Sequence, residues 1–247
     1  TLSEVRNIKR VIKKSDIFTG SNVTEKNIKE LSANGTLLDY KVLHFATHGL
    51  AVPEIPELSA VVLSQFKDNR GREDGYLRMG EIANLDIGAD LVNLSACDTG
   101  LGKLFGGEGV VGLTQSFLIA GANAVSVSLW RVEDESTSQF MVSMYGMVQD
   151  KGIKYVDAMA EVKRRFISGD FGEGYKAPYY WAPFVYYGRD YEGIKEKKEH
   201  KAERPKPEEV KPPSGNDVNG LQDRPGPAVR REPLNIRIQT RTYNNGE

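Results

Sequence analysis

VLHFATHGL, residues 42–50, is an apolar run that ends on His48 and Gly49. A second apolar run, DLVNLSACDTGLG at 90–102, ends on Cys97, the only cysteine of the 247-residue chain. Both runs are nearly continuous in apolar residues, which is typical of strands buried on both faces of a sheet. We therefore predict that each run forms a core strand followed directly by a polar residue.

Helical and strand patterns alternate along residues 1–190. The predicted helices lie at 2–14, 24–31, 79–84, 109–120, 135–149 and 153–167, and the predicted strands at 16–20, 40–46, 59–63, 90–95, 124–129 and 182–188. This alternation indicates an α/β fold with a mostly parallel sheet that is covered on both faces. In such sheets, ligands bind beyond the carboxyl ends of the strands. The side chains of His48 and Cys97 meet at that edge if their two strands are neighbours.

A cysteine and a histidine side by side are the minimal apparatus for acyl transfer. The thiolate is the nucleophile, and the imidazole takes the thiol proton. The developing oxyanion also needs N–H donors, and a glycine lets a backbone amide approach the substrate closely. We predict that the backbone amides of Gly49 and Cys97 form this oxyanion hole. Taken singly, each residue has a plainer interpretation, because most cysteines serve only in packing.

Metal and cofactor chemistry is not favoured by the spacing of the polar residues. His44 and His48 lie four positions apart, but they fall in a strand pattern with no glutamate arranged as in H-E-x-x-H. We expect His44 to be a core histidine. The glycine-rich segment 99–109 lacks the pattern of a phosphate-binding loop. We expect neither a metal nor a cofactor.

Charge and cysteine content narrow the classes of partner. The chain has 33 basic and 34 acidic residues, and this balance gives no indication of nucleic-acid or membrane binding. A single cysteine cannot form an internal disulfide, so nothing requires an oxidising compartment. The first residues have no apolar signal core, and no stretch approaches the roughly 18 apolar residues of a membrane span. We expect a cytoplasmic protein.

The composition changes near residue 191, which we take as a domain boundary. Residues 191–247 are rich in lysine, glutamate and proline, and such a segment buries too little apolar surface to offset chain entropy. We predict a folded domain over 1–190 and a disordered tail over 191–247. Within the tail, PLNIRIQTRTY at 233–243 has a strand-like alternation. It could form a strand on a partner, but we favour the interpretation of a stray pattern.

The chain resembles the CHAT family, caspase-like peptidase domains often found after tetratricopeptide repeats. The resemblance covers about residues 1–190 and rests on four ordered blocks. These blocks are VLHFATHGL (42–50), LVNLSACDTGLG (91–102), GGEGVVGLTQSFLIAGANAVSVSLWRVEDESTSQFM (106–141) and PYYWAPFVYYG (178–188).

The resemblance implies a caspase-like three-layer α/β/α sandwich and a cysteine endopeptidase acting on protein substrates. It assigns the general base to His48 and the nucleophile to Cys97, and it fixes no third catalytic residue. It also implies control by a tetratricopeptide-type repeat or another sensor region, either upstream in the same protein or in trans. Since the chain begins without methionine, we expect such a region to precede it.

Three acidic residues are candidates for the substrate pocket. In related caspase-like peptidases, an acidic residue beyond the strand after the nucleophile receives a basic P1 side chain. The segment WRVED, 130–134, follows that strand here, so Asp134 or Glu133 could fill this role. Asp98, next to the nucleophile, is a third candidate. The plainer alternative is that Asp134 or Ser136 caps a helix that starts near residue 135.

Two other function classes stay open beside the endopeptidase. A catalytically silent caspase-like domain would act as a scaffold, although a silent relative usually loses one member of the dyad. An acyl transferase could use the same His48 and Cys97 without cutting any protein.

Overall fold

The architecture comes from a computed structural model that describes residues 2–52, 54–65, 73–96, 108–189 and 236–240. The strands are β1 (Ser15–Thr19), β2 (Val42–Leu50), β3 (Ala60–Val62), β4 (Tyr76–Arg78), β5 (Leu91–Ala96), β6 (Ala124–Ser128), β7 (Phe184–Gly188) and β8 (Ile236–Thr240). The helices are α1 (Leu2–Val11), α2 (Glu25–Ala33), α3 (Met79–Ala83), α4 (Glu108–Ile119), α5 (Asp134–Lys151) and α6 (Tyr155–Ser168).

The main sheet contains six strands in the order β1-β8-β2-β5-β6-β7. Every neighbouring pair along this row is parallel except β6 and β7, which are antiparallel. β3 pairs antiparallel with the carboxyl end of β2 and with β4. The fold is therefore mixed α/β, and the carboxyl ends of β2, β5 and β6 point to one edge of the sheet.

Apolar side chains of the described residues form two core clusters, one on each face of the sheet. Leu43 and Phe45 of β2 pack into a cluster that contains side chains of α2, α3 and α4. Val42 and Ala46 pack into the other cluster, with α1, α5 and α6. This division follows from the alternation of side chains along a strand. A strand buried on both faces needs apolar residues at every position, which explains the continuous apolar run.

Local signals set several helix ends. Thr24 caps α2, because its hydroxyl accepts a hydrogen bond from the Asn27 amide at 3.1 Å. A threonine in this position stabilises a helix by about 1 kcal/mol. Gly152 ends α5 in the left-handed conformation, with φ of 65°, which glycine adopts at little cost.

β8 corrects the interpretation of the tail. Its residues 236–240 pair with both β1 and β2, so the interpretation of the 233–243 alternation as a stray pattern is wrong for these five residues. The rest of the 191–247 segment lies outside the described residues, and its disorder stays a prediction. Within the parts of the chain that the structure describes, no helix combines the length and apolar character that crossing a membrane requires.

Candidate active site

His48 lies within β2, not beyond its end, because β2 extends to Leu50. Phe45 is opposite Leu94 of β5, whereas His48 is opposite Ala96. Three steps along β2 thus match two steps along β5, and this register shift leaves one extra residue in β2, as in a β-bulge. Such irregularities change the direction of the side chains that follow, and they are common beside active sites.

Cys97 and Asp98 lie outside the described residues. Cys97 is nonetheless the next residue in the chain after Ala96, the residue opposite His48. Neighbouring strands lie about 4.8 Å apart, so the carboxyl end of β5 comes close to His48. The condition set by the sequence, that the two strands be neighbours, is met.

Gly49 is buried and lies opposite Val61 across the antiparallel pairing of β2 and β3. The neighbouring Thr47 hydroxyl donates to the Val62 carbonyl oxygen at 2.5 Å, which ties the same two strands together. β3 therefore supports the chain immediately around the proposed base. The role of the Gly49 amide in an oxyanion hole stays a prediction.

His44 lies in a different environment from His48. It is fully buried, and its Nδ1 lies 2.9 Å from the Tyr145 hydroxyl and 3.1 Å from Asn93 Nδ2. Its Nε2 lies 3.1 Å from the carboxylate of Glu4. Both ring nitrogens are thus engaged inside the core, as expected for a core histidine.

Glu133 and Asp134 follow β6 at the same edge of the sheet. Glu133 is the N-cap residue of α5 but makes no side-chain cap, and Asp134 is the first helical residue. The alternative that Asp134 or Ser136 caps the helix is therefore wrong, since the Ser136 hydroxyl instead donates to the Glu133 carbonyl oxygen at 3.0 Å. Both carboxylates are exposed, and the positive end of the α5 dipole favours negative charge there.

Aromatic residues lie beside these carboxylates, and reasoning from the sequence did not single them out as site residues. The Trp130 indole donates to the Tyr179 carbonyl oxygen at 3.0 Å, which ties the segment after β6 to residues 178–180. Tyr175 packs edge-on against Tyr180. Burial, followed by the nearby Glu135 carboxylate, raises the pKa of Tyr175. The only sequence signal for these residues was the run of aromatic residues in PYYW, 178–181.

Among the described residues, three glutamates come close enough together to share a metal ion: Glu25, Glu73 and Glu81. Lys29 Nζ occupies the space between them, at 3.3, 2.8 and 2.6 Å respectively. An ammonium group already supplies the positive charge that a metal would bring.

The family model of the CHAT domain matches residues 1–189, which is most of the chain. The chain belongs to the CHAT-domain family. This family is caspase-like, so the resemblance drawn from the four sequence blocks is confirmed.

Similarity to curated proteins covers a smaller part of this CHAT domain. Human "Tetratricopeptide repeat protein 28" is 30% identical over 114 residues, which make up 46% of this chain and 4% of that protein. The mouse protein of the same name is 29% identical over 114 residues, with the same shares of the two chains. The chain thus spans only a small part of the length of these relatives.

Proposed function

We propose that this CHAT domain is a cysteine endopeptidase in which His48 is the general base and Cys97 the nucleophile. The observation that carries the proposal is the pairing of His48 with Ala96, the residue that precedes Cys97. Family membership supports peptidase chemistry at this place, and the register shift in β2 gives His48 an environment unlike that of His44.

The proposed reaction proceeds through an acyl-enzyme. His48 accepts the Cys97 proton, and the thiolate attacks a peptide carbonyl carbon. The amides of Gly49 and Cys97 donate to the oxyanion of the tetrahedral intermediate. The C–N bond then breaks, and the imidazolium returns the proton to the leaving amine. A water molecule, deprotonated by His48, hydrolyses the thioester and restores the free thiol.

The fold proposed for this chemistry is the caspase-like three-layer α/β/α sandwich with a mostly parallel sheet. Its support is the pair of core clusters, with α2, α3 and α4 on one face and α1, α5 and α6 on the other. The parallel pairing of β2, β5 and β6 also supports it.

The proposed substrate is a protein with a basic residue at P1. Two exposed carboxylates, Glu133 and Asp134, lie after β6, the strand next to β5. Nearby aromatic rings such as Tyr179 would add cation–π attraction for the same side chain. Asp98 remains a third candidate.

Control by a tetratricopeptide-type region, upstream or in trans, is part of the proposal. Its support is that the human and mouse relatives are named as tetratricopeptide repeat proteins. The proposed place of action is the cytoplasm, where a catalytic thiol stays reduced.

Mass spectrometry of newly formed protein N-termini tests the proposal directly. Cell extract is incubated with the native chain, with Cys97→Ala or with His48→Ala, each at the same concentration. We expect new N-termini with the native chain and none above background with either variant. Identical sets of N-termini in all three samples would refute the endopeptidase and favour the scaffold. Acylated products without new N-termini would identify a transferase.

A further inference from the structure

Glu4, in the first turn of α1, is only 2% exposed. Carboxylates are almost never buried to this extent unless they are paired. α1 is otherwise anchored by apolar side chains, among them Val5, Ile8 and Ile12. A charged residue in this position is therefore not needed to dock the helix.

One oxygen of the Glu4 carboxylate joins two strands. Glu4 Oε1 lies 3.1 Å from His44 Nε2 on β2 and also accepts a hydrogen bond from the Ser95 hydroxyl on β5. A carboxylate only accepts, so Nε2 of His44 carries the proton that it donates. β2 contains His48 and β5 directly precedes Cys97, and we call this pair the dyad strands.

The spacing along the chain relates these contacts to the proposed site. His44 precedes His48 by four positions, and Ser95 precedes Cys97 by two. His44 is also held through Nδ1 by Tyr145 of α5 and Asn93 of β5. The buried polar cluster thus links α1, α5 and both dyad strands a few residues before His48 on β2 and before the carboxyl end of β5.

The surroundings of Glu4 favour its ionised form. Burial by itself would raise the pKa of Glu4, but the hydrogen bond from His44, attraction by His44 and, to a smaller extent, the amino-terminal charge together lower this pKa to about 2. Buried charged clusters of this kind are seldom more stable than an apolar core of the same volume. Stability therefore does not explain why a carboxylate is buried here, whereas a role in setting the geometry of the dyad strands does.

We infer that Glu4 is a positioning residue for the dyad: its carboxylate, which α1 places between β2 and β5, fixes the dyad strands relative to each other. The inference deepens the proposed function and rests on it.

The test uses the full chain and the rate at which iodoacetamide alkylates Cys97, measured by intact mass from pH 5 to pH 9. Because Cys97 is the only cysteine, the label is unambiguous. Urea unfolding of each variant shows that the alkylated molecules are folded. The variants are Glu4→Gln, Asn7→Ala and His48→Ala. Asn7 is the matched control, because it lies on the same helix and its described side-chain hydrogen bonds are with Ser138 of α5, at 3.0 Å, and with Arg10.

We expect Glu4→Gln to slow alkylation at pH 7 at least about fivefold and to move the pH profile toward that of His48→Ala. Asn7→Ala should keep the native profile even where it unfolds at lower urea. A native profile in folded Glu4→Gln would overturn the inference while leaving the dyad intact. Native-like alkylation in His48→Ala would instead refute the proposed function, and the inference with it.

A second variant covers the case in which Glu4→Gln does not fold. Ser95→Ala removes one of the two strand contacts of Glu4, and we expect at least about a twofold slowing in the same direction. Where both variants fold, the double variant should be slowed by less than the two single effects combined, since the amide of Glu4→Gln already weakens the hydrogen bond that Ser95→Ala removes. A native profile in folded Ser95→Ala, or full additivity in the double variant, would overturn the inference.

Discussion

His48 on β2 lies opposite Ala96 on β5, one residue before Cys97, in the parallel pairing of these strands. His44 lies on the same strand but is buried, with both ring nitrogens engaged by core side chains. The register shift between Phe45 and His48 separates the two environments. We therefore expect replacement of His48 to reduce activity and replacement of His44 to reduce stability.

We predict that His48→Asn abolishes activity and leaves stability almost unchanged. Loss of a general base slows catalysis by about 10²–10⁴-fold, whereas the half-buried His48 side chain, near the carboxyl end of β2, contributes little to folding. Cleavage of a peptide substrate and urea unfolding measure the two effects. A variant with native kcat/KM would mean that His48 is not the base.

For His44→Ala we predict a loss of stability first. This substitution removes the hydrogen bond that His44 donates to the buried Glu4 carboxylate, and a buried charged group left without its hydrogen-bond partner costs more than the about 1–3 kcal/mol of a neutral group. The free energy of unfolding, measured in urea at pH 7, should fall by that order. An unchanged free energy of unfolding would contradict the proposed pairing of Glu4 with His44.

Substrate preference should depend on the acidic segment after β6. Asp134→Asn and Glu133→Gln are predicted to lower kcat/KM for substrates with arginine or lysine at P1 by about tenfold or more, because each removes a charge that we propose attracts the basic side chain. Substrates with a neutral P1 residue should be affected much less. Asp157→Asn, at the first turn of α6, is the matched control. An equal loss for basic and neutral P1 residues would exclude a pocket for a basic side chain.

The sequence predicted the features that depend on neighbouring residues, but not those that depend on contacts between residues far apart in the chain. Signals within one segment, such as the Thr24 cap of α2 or the apolar run of β2, predicted the elements to within a few residues. The placement of His48 inside β2 was missed, because the extra residue appears only when β2 is aligned with β5. The register of β2 is set by its pairing with β5, and β5 lies about fifty residues further along the chain.

Glu4 and β8 were missed for the same physical reason. In the helical pattern of α1, Glu4 looks like one more charged residue on a solvated face, since its partners His44 and Ser95 are distant in sequence. β8 follows a long, charged, proline-rich segment. Its strand-like alternation was visible, but its partners β1 and β2 lie far earlier in the chain, so the sequence did not show that these five residues pair in the sheet.

The cluster around Lys29 gives a prediction about pH. Burial first, and the carboxylates of Glu73 and Glu81 next, raise the pKa of Glu25 to about 7, against the opposing effects of Lys29 and the Gly75 amide. The folded chain therefore holds a proton that the unfolded chain releases near pH 4.5. The contribution of Glu25 is most favourable below that pH and is lost as the pH rises toward 7.

Glu25→Gln tests this dependence, because a neutral amide mimics the protonated carboxyl group. Relative to the native chain, we expect the variant to become more stable as the pH increases from 4.5 to 7.5, in urea unfolding at constant ionic strength. Glu30→Gln is the control, since Glu30 lies on the same helix in an exposed pair with Lys26. Curves that stay parallel over this range would show that Glu25 ionises normally.

The pairing of β8 between β1 and β2 leads to the last prediction. Ile238, the middle residue of β8, lies opposite Ile17 on one side and His44 on the other. Proline cannot donate to a strand ladder and is excluded from central strands. We expect Ile238→Pro to displace β8, so that backbone amides in Ser15–Thr19 and Val42–Ala46 exchange their hydrogens faster. Asn219→Pro, elsewhere in the 191–247 segment, should leave this exchange unchanged. Hydrogen exchange followed by mass spectrometry resolves both strands, and native protection in Ile238→Pro would rule out a place for residues 236–240 in the sheet.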